Sequence, residues 1–220
     1  LECGKDISEV KGFFTSGTDG SSGVRREVLV LERQNKFVCV FRGTSAEQHG
    51  RFARQPEAVE LPDGSNATVF VDRYSAFAEL QTNVFQLLDK LAADHPFCDI
   101  LFAGHSFGAA MATLAAYSYA NTRTSLRVAC AVSSCPRVGP ADFRWAVHST
   151  PNLNMWRLEY GRANQNNRAY GVGHIIRLSP PCKDAKSPIV RAYKFGGDQE
   201  YALVAGAKVM RSLLSPTKPK

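Results

Sequence analysis

The sequence predicts an α/β fold, a mostly parallel central sheet with helices on both faces. Three observations carry this expectation. Apolar runs of strand length alternate with helical runs, the pattern of strand–helix–strand units. From Tyr74 to Ala93 apolar residues recur at Phe77, Leu80, Val84, Leu87, Leu88 and Leu91, a helical period that stops before Pro96. Immediately afterwards a short apolar strand, Cys98 to Ala103, runs through Gly104-His105-Ser106-Phe107-Gly108 into the small residues Ala109 to Ala116. A strand, a tight turn with glycine on both sides and a helix are the setting in which a serine is held exposed above a sheet.

The elements follow in order. Residues 1–25 read as an N-terminal extension. Arg26 to Glu32 and Lys36 to Phe41 are strand-like runs around Arg33-Gln34-Asn35, which reads as a hairpin. Thr44 to Ser65 reads as irregular, with Pro56, Pro62 and Gly64, and Ala67 to Val71 as another strand. The long helix and the strand–turn–helix unit come next. Val128 to Val132 is a strand, Pro136 to Pro140 a turn, and Ala141 to Val147 a short helix. Met155 to Leu158, Ile175 to Leu178 and Ile189 to Phe195 are later strands. Glu200 to Leu214 reads as a closing helix before a basic tail at 215–220. The whole chain, 1–220, is expected to form one α/β-hydrolase-like domain.

Composition narrows the function. Hydrophobic content of 44% and charged content of 21% are ordinary for a globular enzyme. The chain begins at Leu1, as expected of a processed or excised piece, and nothing assigns a compartment. The six cysteines form no C-x-x-C pair, so no metal site is expected. Cys39 and Cys130 lie in strands and read as buried thiols. No cofactor-binding motif appears, and none is expected to be needed. Asn66-Ala67-Thr68 is a glycosylation sequon. Residues 1–120 carry 11 Lys and Arg against 15 Asp and Glu, whereas residues 121–220 carry 16 against 5. That excess has no nucleic-acid motif or aromatic interleaving, so nucleic acid is not an expected partner. A solvated basic face or an anionic lipid surface accounts for it. The uncharged run from Ile100 to Ala120 holds Gly104 and Gly108 in G-x-x-x-G spacing and could read as a membrane-crossing helix. His105, Ser106, Thr113 and Ser118 dilute it, and no transmembrane segment is expected.

The ordered motifs Val40-Phe41-Arg42-Gly43-Thr44, then Gly104-His105-Ser106-Phe107-Gly108, then Ser134-Cys135-Pro136-Arg137-Val138-Gly139, followed by the strand Met155-Trp156-Arg157-Leu158, resemble the class 3, fungal-type lipases. That family consists of α/β-hydrolases acting on acylglycerols and related esters, so the resemblance implies a lipid or ester substrate. It covers Arg26 to Leu158 best. The implied roles are Ser106 as nucleophile, with the Phe107 backbone N–H and Thr44 as oxyanion donors. His105 is implied to be a packed, hydrogen-bonded residue.

Two family positions are filled differently here. The acid, an aspartate six residues after the strand arginine, falls at Ala163, and the base, a late histidine, falls near Gly196-Gly197-Asp198-Gln199-Glu200-Tyr201. No histidine follows His174. One reading recruits His174 as base, with Glu159 or Asp198 as its acid. The other makes the chain a catalytically impaired domain that binds lipid or a partner. His49 and His148 are further candidates for the base. The segment Ser45 to Pro56 stands where such lipases carry a lid, and it lacks a tryptophan and a strong apolar face.

Overall fold

The computed structural model describes residues 9–17, 25–33, 35–43, 57–62, 64–160, 172–179, 189–193 and 200–203. Within them eleven strands and three helices follow in chain order. They are β1 (Glu9–Ser16), β2 (Arg26–Arg33), β3 (Lys36–Phe41), β4 (Ala58–Glu60), β5 (Thr68–Phe70), α1 (Val71–Asp94), β6 (Asp99–His105) and α2 (Phe107–Thr122). After these come β7 (Arg127–Ser133), α3 (Ala141–Ser149), β8 (Leu153–Tyr160), β9 (His174–Ser179), β10 (Ile189–Tyr193) and β11 (Glu200–Leu203).

Nine strands form one sheet in the order β1-β2-β3-β6-β7-β8-β9-β10-β11, and β4 pairs with β5 separately. The centre, β3-β6-β7-β8-β9, is parallel, and antiparallel strands extend it at both ends. The α/β-hydrolase fold expected from the sequence is therefore present. A parallel strand needs a crossover, and α1 and α2 supply those into and out of β6.

Side chains alternate across a strand, so paired residues share a face. One face carries Val30, Cys39, Phe102 and Cys130, all with no exposure. The helices pack there. Phe102 meets Tyr119 of α2 with ring centroids 5.8 Å apart, Tyr119 meets Phe85 of α1 at 5.0 Å, and Tyr117 meets Phe143 of α3 at 5.3 Å. Helix α2 is buried from Phe107 to Ala120. Its alanines let it lie between the sheet and its neighbouring helices, as expected for a helix apolar all round. The opposite face carries Leu29, Leu31, Val38, Val40, Leu101, Ala103, Ala131, Trp156 and Leu158, none of them fully buried. Among the described residues α1, α2 and α3 lie on the first face.

Three elements differ from the sequence expectation. Residues 9–16, read as part of an N-terminal extension, form β1 against β2. Glu9 to Ser16 does not alternate cleanly, because the register shifts between Val10 and Gly12. Gly12 lies where Leu87 of α1 crosses the strand; a Cβ there would lie 2.6 Å from the Leu87 Cδ2, so the leucine end would have to shift. Part of the stretch expected to be irregular, Ala58 to Glu60, pairs with Thr68 to Phe70. Glu200 to Leu203, expected to open a helix, is strand β11 on β10; the remainder of that expected helix lies outside the described residues. The long helix begins at Val71, three residues earlier than its apolar period suggests, with Asp72 at its positive end.

Candidate active site

Ser106 stands between β6 and α2 with φ 54° and ψ −127°. A residue with a Cβ in this region carries about 1–3 kcal/mol of strain, which persists only where the surroundings impose it. They do so here through three glycines. A Cβ on Gly104 would lie 2.3 Å from the Gly108 carbonyl oxygen, and one on Gly108 would lie 2.3 Å from the Phe41 carbonyl oxygen. A Cβ on Gly43 would lie 2.7 Å from the His105 carbonyl oxygen. The end of β3, the end of β6 and the start of α2 thus meet at backbone contact. The Ser106 N–H donates to the Ser133 carbonyl at 3.0 Å, and the Ala109 N–H donates to the Ser106 carbonyl at 2.9 Å. The run from Ile100 to Ala120, readable as one membrane helix, is a strand, a turn and a helix. Among the described residues no helix is long and apolar enough to cross a membrane.

Ser106 is half-buried, and Phe107 opens α2, so its N–H lies at the positive end of the helix. Negative charge developing beside Ser106 would be stabilised there. Thr44 lies outside the described residues; Gly43 before it would place a Cβ 3.6 Å from the Ser106 Cβ. Ala163, Asp198 and His49 also lie outside the described residues.

His174 is not brought to Ser106. It begins β9, paired with Trp156, and β9 is three strands from β6. At about 4.8 Å per strand the separation is about 14 Å, far beyond the reach of a base. The His174 ring packs on Trp156, centroids 4.7 Å apart. Glu159 lies on the opposite face of β8 from Trp156 and is ion-paired with the buried Arg157, so it does not orient His174 either. Just before His174 the Gly173 N–H donates to His148 Nε2 at 3.3 Å, which ties β9 to α3. Burial, with Arg144 and His174 nearby, pushes the His148 pKa down to about 4.

His105 faces the open side of the sheet. Its Nδ1 lies 2.8 Å from the Ser133 hydroxyl at the end of β7. The pair borders a cavity of about 380 Å³ lined by Val40, Ala131, Trp156, Leu158 and Ile176. The sequence reading included His105 only as a packing residue and missed Ser133, which precedes the Ser134-to-Gly139 motif. Pairing of His105 with Ser133 across β6 and β7 becomes visible only once the register is known. Cys39, Cys98, Cys130 and Cys135 are buried free thiols, and no group of three metal-ligating side chains occurs among the described residues.

The family described as Lipase (class 3) matches residues 38–162. Phospholipase A1-II 3 of Oryza sativa subsp. indica is 42% identical over 95 residues, covering 40% of this chain and 22% of its own length. Phospholipase A1-IIdelta of Arabidopsis thaliana is 36% identical over 85 residues, covering 38% of this chain and 20% of its own length. The chain therefore aligns with about a fifth of these relatives. Among solved structures, lipase II from Rhizopus niveus superposes with a TM-score of 0.68 at 20% identity, over 81% of this chain and 71% of that one. The lipase from Rhizopus microsporus var. chinensis superposes with a TM-score of 0.69 at 19% identity, over 87% of this chain and 68% of that one.

Proposed function

Since this chain belongs to the class 3 lipase family, we propose that it carries the nucleophile of a serine ester hydrolase acting on lipid esters. Ser106 attacks the ester carbonyl, and the Phe107 N–H and Thr44 hold the oxyanion. The observation that carries this reading is the Ser106 backbone at φ 54°, locked by Gly104, Gly108 and the end of β3. Strain of this kind is retained where it serves a site. Relatives described as phospholipases A1 support a glycerolipid acyl ester as the substrate. Among the described residues His174 and Glu159 stand apart from Ser106, so neither is proposed as its base or acid. The basic excess of residues 121–220 supports approach to an anionic lipid surface.

A fluorophosphonate probe tests the chemistry, because it reacts with an activated serine. Ser106 is expected to label in the intact chain and in His174→Ala. Ester turnover is expected to fall by at least about 10²-fold in Ser106→Ala, since loss of a hydrolase's nucleophile can reach about 10⁶. An intact, folded chain whose Ser106 does not label would overturn the reading. Binding to phosphatidylglycerol vesicles that exceeds binding to phosphatidylcholine vesicles, and weakens with salt, tests the surface.

A further inference from the structure

We propose that Ser133 and His105 form a second acyl-accepting pair, which opens on the apolar cavity of the sheet face opposite α1, α2 and α3 and takes esters with an extended acyl chain. The inference is independent of Ser106. It starts from the 2.8 Å contact between His105 Nδ1 and the Ser133 hydroxyl, within the distance over which an imidazole deprotonates an alcohol. His105 is exposed and Ser133 half-buried, so the pair is reachable from outside. The cavity beside them, about 380 Å³, has the size of a small-molecule site and a wall of Val40, Ala131, Trp156, Leu158 and Ile176. An acyl chain suits such a wall, and His105 and Ser133 are the imidazole and hydroxyl groups on it among the described residues. Ser134, directly after Ser133, has φ 49°, so β7 ends on a strained residue as β6 does at Ser106.

The step balances with water alone. With the His105 ring protonated on Nε2, Nδ1 accepts the Ser133 proton while Oγ bonds to the ester carbonyl carbon. The carbon–oxygen bond to the alcohol then breaks, and the leaving alkoxide takes the proton back from Nδ1. Water then gives a proton to the same nitrogen as its oxygen bonds to the acyl carbon, the carbon–Oγ bond breaks, and Oγ takes the proton back from Nδ1 as the carboxylic acid leaves. The neighbouring Ser134 N–H is committed to the Leu158 carbonyl at 3.3 Å and does not serve as an oxyanion donor. Lacking that donor, Ser133 is expected to react about 10²–10³ more slowly than a serine with a formed oxyanion hole.

The test treats the full chain and its Ser106→Ala variant with fluorophosphonates bearing short and decyl chains, and locates the adduct by peptide mass spectrometry. Ser133 is expected to label in both proteins, faster with the decyl probe, and at least ten-fold less in His105→Gln. Ala131→Leu, which fills the cavity and alters neither polar group itself, is expected to abolish the preference for the decyl probe. This variant carries the test if a substitution at His105 impairs folding, judged by circular dichroism. A Ser133 adduct that forms equally in His105→Gln, or no adduct at Ser133 in the folded chain, overturns the proposal. Labelling confined to Ser106 overturns this proposal alone, whereas labelling of neither serine overturns both readings.

Discussion

The two faces of the central sheet are built from the same strands, yet they live in different surroundings. On one, Val30, Cys39, Phe102 and Cys130 are wholly buried under α1, α2 and α3. On the other, residues one step along the same strands remain partly exposed, and Val40 keeps 38% of its surface. The difference shows that one strand serves two tasks by period-two alternation. The covered face holds the fold and presses α2 against β3 and β6, which strains Ser106. The open face supplies an apolar wall, with His105 and Ser133 at its upper end.

The largest expected effect separates these tasks at adjacent positions. Phe102 is fully buried among Phe41 and Tyr119, so Phe102→Ala should cost about 3–5 kcal/mol in urea denaturation. Leu101, facing the other way and partly exposed, should cost about 1 kcal/mol as Leu101→Ala. Equal costs would show that the second face is as well covered as the first.

Next comes the strained turn that the covered face supports. Gly108→Ala drives a methyl group to 2.3 Å from the Phe41 carbonyl oxygen and should cost about 2–3 kcal/mol, with loss of Ser106 reactivity. Ser106→Gly relieves the positive φ and should stabilise the chain by about 1 kcal/mol while removing the nucleophile. Opposite signs at positions two apart would identify stored strain; destabilisation by both would remove that account.

How far the sequence disclosed this arrangement depends on the range of the forces involved. The elbow was legible because its causes are local, two glycines and a serine between a strand and a helix. The β2–β3 hairpin and the period of α1 were legible for the same reason. Strand β1 was not, because its register shifts between Val10 and Gly12, where Leu87 from a helix more than seventy residues away packs on it. The fate of His174 was not legible either. Its distance from Ser106 is set by strand order, which no local pattern encodes, and its tether is the Gly173 contact with His148 of α3. The pairing of His105 with Ser133 is likewise a property of register.

That tether gives a smaller, pH-dependent effect. The fold holds the His148 pKa near 4, chiefly through burial, against about 6.5 in an unfolded chain. Between these values the unfolded chain binds a proton that the folded chain refuses. Stability should therefore fall as pH drops from about 6.5 to 4 and flatten below 4. After allowance for the half-exposed site, the loss should be about 1 kcal/mol. Denaturation midpoints across this range should show the slope in the intact chain and lose it in His148→Gln, which keeps an acceptor for the Gly173 N–H. A slope that survives would move the titration elsewhere.

The smallest effect probes the open face itself. Val40→Thr keeps the β-branched shape that suits a strand and exchanges a methyl for a hydroxyl. At 38% exposure that hydroxyl reaches water, so stability should change by no more than about 0.5 kcal/mol. The same exchange at Val30, across the strand pair on the covered face, buries an unpaired hydroxyl and should cost about 1–3 kcal/mol. Val40 also lines the cavity beside His105 and Ser133, so Val40→Thr makes that wall more polar. It should slow decyl-probe labelling of Ser133 while leaving the denaturation midpoint in place. A Val40→Thr chain as destabilised as Val30→Thr would mean that the wall is packed rather than open, and that no acyl chain can enter beside Ser133.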